Sequence, residues 1–295
     1  MRRYLLLFVI LVISIFTIRL SFQWEGLNYQ WKKENFWLRK SNTHSLNNIL
    51  VLGDSRIFYA INPDILKKNH HDISFNFAFP SISFTKQYLQ AAGKLVSANG
   101  HVFIGLTPES LTNFETDQGM TSYQKNRPLL VELGIKWLRI YWPGIDLNLF
   151  LKRGKVPLFQ NPPKEGLETF HPNGWIENKS SISTDNGSMA ASYHHLFKQF
   201  KIEEEIVSNL EQQVKSWTKQ GIKVTAFWAC FDETVCKEEE LPLGNGIKER
   251  INKRLEDSGA KMIAQPKDTF HTFDGDHLIG SEAERFTKSL KQLAQ

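Results

Sequence analysis

The stretch "NNILVLGDSRIFYAIN", residues 47–62, decides how the chain reads. Ile49, Leu50, Val51 and Leu52 form an unbroken apolar run that stops on Gly53-Asp54-Ser55. A short run without polar alternation suits a strand buried on both faces. A small residue, a carboxylate and a hydroxyl then arrive together where the chain leaves the sheet. Ser55 is therefore a candidate nucleophile and equally a candidate helix cap.

The same grammar recurs along the chain. Strand candidates at 48–53, 72–79, 101–106, 222–229 and 260–265 alternate with amphipathic helical patterns at 84–98, 197–219, 246–258 and 281–294. This alternation predicts an α/β fold, a three-layer α/β/α sandwich around a mostly parallel, flavodoxin-like sheet with right-handed crossovers. Residues 110–196 break the pattern with many aromatics, prolines and the polar run "NGWIENKSSISTDNGSMAASYHH" (173–195). They read as an insertion over the carboxyl edge of the sheet, where open α/β sheets bind ligands. A loop of that size needs structure of its own, and short helices are expected at 128–152.

The chain has 295 residues, 41% of them hydrophobic, enough for one large domain or two small ones. Its pI near 9.0 invites a nucleic-acid reading. Residues 1–40 hold seven basic and two acidic residues, which leaves 29 of each in the rest of the chain. A neutral main domain argues against nucleic acid and for a basic flank beside a membrane. The segment "YLLLFVILVISIFTI" (4–18) has no charge, and extended to Trp24 it would cover roughly 31 Å as helix, about one hydrocarbon core. A cleaved signal peptide is the rival reading, but "TIRLSFQWEG" offers no pair of small residues for cleavage. The expectation is a cytoplasmic tip and transmembrane anchor over 1–24 and a juxtamembrane segment over 25–46. In that segment Tyr29, Trp31, Phe36 and Trp37 alternate with basic residues. The main domain, 47–295, is then periplasmic or extracellular. Cys230 and Cys236 could close a small loop there as a disulfide, with two buried thiols as the alternative.

The end of the chain supplies a partner for Ser55. In "FHTFDGDHLIGSEAERFTKSL" (270–290), Asp274 and His277 stand three apart on a glycine-containing turn. A carboxylate so placed can hold one ring nitrogen of the histidine and leave the other to act as base. Asp276 is the weaker candidate, because an adjacent carboxylate usually points away.

With "LGDSR" at one end and "DGDHL" at the other, the chain resembles the SGNH (GDSL-like) hydrolase superfamily over about 48–106 and 222–295. The resemblance implies Ser55 as nucleophile, His277 as base, Asp274 as its orienting carboxylate, and no cofactor. It also implies an oxyanion hole. "FNFAFPSISF" (75–84) is similar to the second family motif with Ser81 in the glycine's place, and "FIGLTPESL" (103–111) to the third, with Gly105 kept and Thr107 where asparagine is expected. Ser81 would contribute its backbone amide and Thr107 a shorter donor, which predicts a weaker hole. The anchor, "GDSR" and terminal Asp-x-x-His look like the membrane-anchored branch that O-acetylates polysaccharides and D-alanylates teichoic acids. The expected partners are therefore an acylated glycan or other acyl ester and an integral membrane acyltransferase. Because neutral His277 is required, activity is expected to fall below pH roughly 6.5.

Other motifs carry less. His171, His194 and His195 lack carboxylate or cysteine partners at ligand spacing, so no metal is expected. "LGNGIKE" (243–249) reads as a cap, Trp175 as packing before a sugar platform, and Asn178 and Asn186 as chance sequons. The rivals to an enzyme are a silent glycan- or partner-binding domain and, on the α/β pattern alone, a nucleotide binder.

Overall fold

The computed structural model describes residues 2–112, 120–123, 127–141, 167–182, 194–244, 246–266 and 268–294. Its elements run α1 (Arg2–Ser41), β1 (Asn47–Leu52), α2 (Ser55–Ala60), α3 (Pro63–Leu66), β2 (Ser74–Asn76), α4 (Lys86–Gly93) and β3 (Val96–Leu106). There follow α5 (Met120–Tyr123), α6 (Leu129–Tyr141), β4 (Glu168–Phe170), β5 (Ile176–Asn178), α7 (Glu204–Lys219) and β6 (Lys223–Trp228). The chain closes with α8 (Glu233–Leu243), α9 (Ile247–Asp257), β7 (Lys261–Met262) and α10 (Gly280–Ala294). Two compact units result: Met1–Asn42 with Tyr123–Leu167, and Thr43–Ser122 with Glu168–Gln295.

In the first unit α1 packs on α6 through Leu27, Ile140 and Tyr141, with Trp31 beside them and a 2.7 Å ion pair from Lys136 to Glu34. The helix ends where Ser41 Oγ and Asn42 Nδ2 both turn back to the Leu38 carbonyl, side chains satisfying an acceptor that the backbone leaves open. No helix among the described residues is long and apolar enough to cross a membrane. The apolar segment 4–18 is the start of α1, and its described side chains, Leu5, Leu6, Leu7, Val9, Ile10 and Ile13 among them, are exposed. The side chains of 15–25 lie outside the described residues, so the transmembrane helix expected over 4–24 is not among the features this structure describes.

The second unit is built on a five-stranded sheet in the order β2-β1-β3-β6-β7, every pairing parallel. Counting only its own strands, this is 2-1-3-4-5, the order of flavodoxin-type doubly wound sheets. The apolar runs explain it: Leu50, Val51, Leu52, Val102, Ile104, Ala226 and Phe227 are all buried. The helices fall into two sets by mutual contact, α4 and α9 against α7, and α2 and α3 against α10. β1 lies between β2 and β3, so the turns that follow these three strands emerge side by side at one edge.

Several boundaries differ from the sequence reading. The helix expected over 84–98 stops at Gly93, where the Lys94 N–H turns back to Ala91 and Ala92. Asn47 then draws Leu95 toward β1 with a 2.8 Å backbone bond, and β3 starts at Val96, passing a register shift opposite Asn47 and Ile49. The helix expected from 197 begins at Glu204, while Phe197 and Phe200 instead pack on Val235. Residues 110–196 are divided: 123–167 belong to the first unit, and the β4–β5 hairpin to the second. Of the short helices expected at 128–152, α6 covers 129–141, and residues 142–152 lie outside the described residues.

Candidate active site

The cap of α2 is Asp54, not Ser55. Asp54 Oδ1 accepts from the Arg56 amide at 3.1 Å, and Oδ2 accepts the Thr107 hydroxyl. Ser55 is left as the first helical residue with its side chain free for other work. Gly53 has φ +149°, a region open mainly to glycine, and a Cβ on either Gly53 or Gly105 would overlap Ile57. These two glycines let the first turn of α2 sit down on the sheet. The far end of α2 is tied as firmly: Asn76 Nδ2 donates to the Ile57 and Ile61 carbonyls at 3.0 and 2.9 Å, and Thr287 Oγ1 to Ala60 at 3.1 Å.

From the other end of the chain, a turn delivers the histidine. Gly275, at φ +86°, permits the reversal, and Asp274 Oδ1 accepts the amides of Asp276 and His277 at 3.1 and 2.9 Å. Asp274 Oδ2 lies 2.7 Å from His277 Nδ1, and His277 Nε2 lies 2.8 Å from Ser55 Oγ. The imidazole is walled by Tyr59, edge-on at 5.1 Å between centroids, and by Phe273, stacked at 5.7 Å. Burial alone would lower the His277 pKa, but the Asp274 hydrogen bond and the charges of Asp276 and Asp274 outweigh it, and the net direction is up. Asp274 moves down, its own burial overcome by the bonds and charge from His277. Serine, imidazole and carboxylate thus form one continuous hydrogen-bonded line across 222 residues of chain.

Set against known protein families, curated proteins and solved structures, the chain matches none.

The remaining site candidates separate. Gly105 makes room for Ile57 within β3. Thr107 is fully buried, and its hydroxyl donates to Asp54 while accepting the Ser110 amide at 3.0 Å. The resemblance implies an oxyanion donor there; in this structure the hydroxyl holds the cap residue. Ser81 is partly exposed in the left-handed region, φ +48°, a conformation that glycine adopts without strain. The carboxyl of Glu109 is pushed up to about 7 by burial and the charge of Asp54, with Asp276 adding to it and Arg56 and Ser81 opposing. Cys230 and Cys236 are joined as a disulfide, Cα atoms 5.6 Å apart. Trp175 is buried, stacks on His171 at 4.6 Å and donates to the Tyr59 carbonyl at 2.9 Å, so it supports α2 rather than offering a sugar platform. His194 pairs with Glu238, and among the described residues no His, Cys, Asp and Glu group is arranged to hold a metal.

Four residues escaped the sequence reading: Tyr59, Arg56, Glu109 and Glu239. For Arg56 the signal that could have found it is a basic residue directly after the Gly-Asp-Ser turn in "LGDSR". Glu239 belongs to α8, whose start is marked by Asp232 capping the Thr234 and Val235 amides at 2.9 and 3.2 Å. Tyr59 and Glu109 have no local signal.

Proposed function

We propose that this chain is a membrane-anchored serine acyl-ester hydrolase or O-acyltransferase of SGNH type, acting on cell-envelope or extracellular glycans. The observation that carries the chemistry is the Ser55–His277–Asp274 line at 2.8 and 2.7 Å. Ser55 Oγ attacks the acyl carbonyl carbon as its proton passes to His277 Nε2. The ester C–O bond breaks, the leaving alkoxide takes that proton, and the acyl group stays on Ser55. Water or an acceptor hydroxyl then attacks, again giving its proton to Nε2, and Ser55 departs with it. Asp274 remains ionised throughout, fixes the tautomer and stabilises the imidazolium. The Ser55 amide, first in α2 and without an acceptor inside the helix, is one oxyanion donor, and the backbone at Ser81 is the other.

The three-layer SGNH-like architecture is supported by the strand order and the two helix sets. The anchor rests on residues 4–24, the outward-facing location on that anchor and a disulfide suited to an oxidising compartment, and the glycan and membrane acyltransferase partners on the family resemblance. A fluorophosphonate probe tests the nucleophile in the full-length chain. Wild type is expected to label and Ser55→Ala not to. No labelling, or labelling unchanged in Ser55→Ala, sinks the reading. A second reading, a silent domain that binds glycan or an acyltransferase, is favoured by one observation: the Thr107 hydroxyl is engaged elsewhere, which leaves the hole short of a donor. Glycan binding that survives Ser55→Ala, with no turnover of any acylated polymer, would select it.

A further inference from the structure

The residue after Ser55 is a fully buried cation that no step of acyl transfer uses. Arg56 Nη1 donates to the Ala229 carbonyl at 3.0 Å and to Glu239 Oε1. Its Nε lies 2.7 Å from Asp276 Oδ1, an ion pair whose N–H is not aimed at the oxygen. The guanidinium carbon stands 5.6 Å from the centroid of Phe197, and Nη2 has no acceptor among the described residues. A buried charge is retained only where its partners are held in place, because losing one leaves the other unsolvated.

The positions of those partners are informative. Asp276 is the neighbour of His277, and both amides bond the same oxygen of Asp274. Ala229 and Glu239 flank the Cys230–Cys236 disulfide, one just before the first cysteine and one a helical turn after the second. One guanidinium therefore joins the nucleophile turn, the base turn and the disulfide-closed start of α8.

We propose that Arg56 is a positioning residue that sets the spacing of Ser55 and His277, and that the Cys230–Cys236 disulfide closes the seat in which it works. This rests on Ser55 being the nucleophile. The Ser55–His277 hydrogen bond changes each time the proton moves, whereas the Arg56–Asp276 contact runs beside it and survives the transfer. The other end of the guanidinium is pinned by Ala229 and Glu239. With the disulfide open, the segment between them regains conformational freedom and the pin loosens. Electrostatics point the same way. The groups facing Arg56 are Asp54, Asp276 and Glu239, with Glu109 next to them. Burial pushes Glu239 up to about 8 against the pull of Arg56, so several carboxyls compete for one cation and its removal would be felt by all of them. Arg56 also lowers the His277 pKa, against Asp274 and Asp276.

The test is the rate of fluorophosphonate labelling of the full-length protein against pH. The variants are Arg56→Met, Glu239→Leu, Glu239→Gln and the pair Cys230→Ser with Cys236→Ser. Wild type is also measured with and without dithiothreitol, which supplies the two electrons that turn the disulfide into two thiols. Arg56→Met is expected to label on the order of 100-fold more slowly, the scale of a small misplacement of reacting groups. Its acid limb should move to higher pH, a shift that general loosening does not produce. Glu239→Leu should fall similarly, and Glu239→Gln, which keeps an acceptor oxygen, should recover most of the rate. Opening the disulfide should slow wild type but add little to Arg56→Met, a non-additive cycle. Melting curves establish folding, and if Arg56→Met does not fold, the two Glu239 variants and the reduced wild type decide the matter. Labelling of wild type together with an unchanged rate and acid limb in Arg56→Met or Glu239→Leu, or with no effect of reduction, overturns this inference alone. A wild type that never labels overturns the nucleophile reading and this inference with it.

Discussion

Ser55 has no capping duty, because Asp54 takes that role and Thr107 holds Asp54. That division predicts separable phenotypes. Thr107→Val leaves a buried Asp54 oxygen and the Ser110 amide without a partner, so it should cost about 1–3 kcal/mol in denaturant unfolding. Were Thr107 an oxyanion donor instead, the same variant would cut labelling by about 10²–10³-fold with little change in stability. Asp274→Asn keeps the shape of the turn but loses the charge that fixes the imidazole, and kcat should fall by roughly 10³–10⁴-fold. The pH dependence carries a sign. If Ser55 is the nucleophile, His277 must be neutral to accept its proton, and because its pKa is raised, kcat/KM should be lost as pH falls through a value above that of a free imidazole. In Asp274→Asn that limb should move to lower pH. The same shift acts on stability: protonated His277 favours the folded state below the unfolded imidazole pKa, and the contribution fades as pH rises through the folded value.

At the scale of elements, α2 is the piece on which the site depends. It is six residues long, too short to hold itself, and is kept by Asp54 at one end, by Asn76 and Thr287 at the other, and by Ile57 lodged against Gly53 and Gly105. Gly105→Ala forces Ile57 out of that position and should destabilise the domain by about 1–3 kcal/mol, read as a lower denaturation midpoint, with slower labelling of the folded fraction. The strands were legible because a buried parallel strand is an apolar run whatever its neighbours. The ends of helices were less so: the periodicity over 84–98 continues past Gly93, yet pairing of Leu95 and Val96 with Asn47 takes those residues for the sheet. The β4–β5 hairpin carried an Asn-Gly turn in "HPNGW", a signal hidden by the polar run that follows it. α8 ends over Pro242, and its acidic surface conceals the one buried carboxylate, Glu239.

At the scale of the whole molecule, net charge is segregated along the chain. The excess of basic residues belongs to 1–40, together with the exposed apolar side chains at the start of α1. If residues 4–24 anchor the protein, the full-length chain should stay with membranes through alkaline carbonate extraction, and a form lacking residues 1–24 should not. Extraction of the full-length chain by carbonate would count against the anchor.

The sequence by itself determined what depends on neighbours in the chain. It specified the strand run of β1, the Gly-Asp-Ser turn after it, and the Asp-x-x-His turn that puts one carboxylate on two amides and an imidazole. Each of these is steric and hydrogen-bonding chemistry within four residues. The tertiary structure supplied the geometry of Ser55 with His277, and it alone revealed the contacts of Thr107 with Asp54 and of Arg56 with Asp276 and Glu239. Those pairings follow from strand order and register, which bring residues up to 222 positions apart to one edge of a sheet.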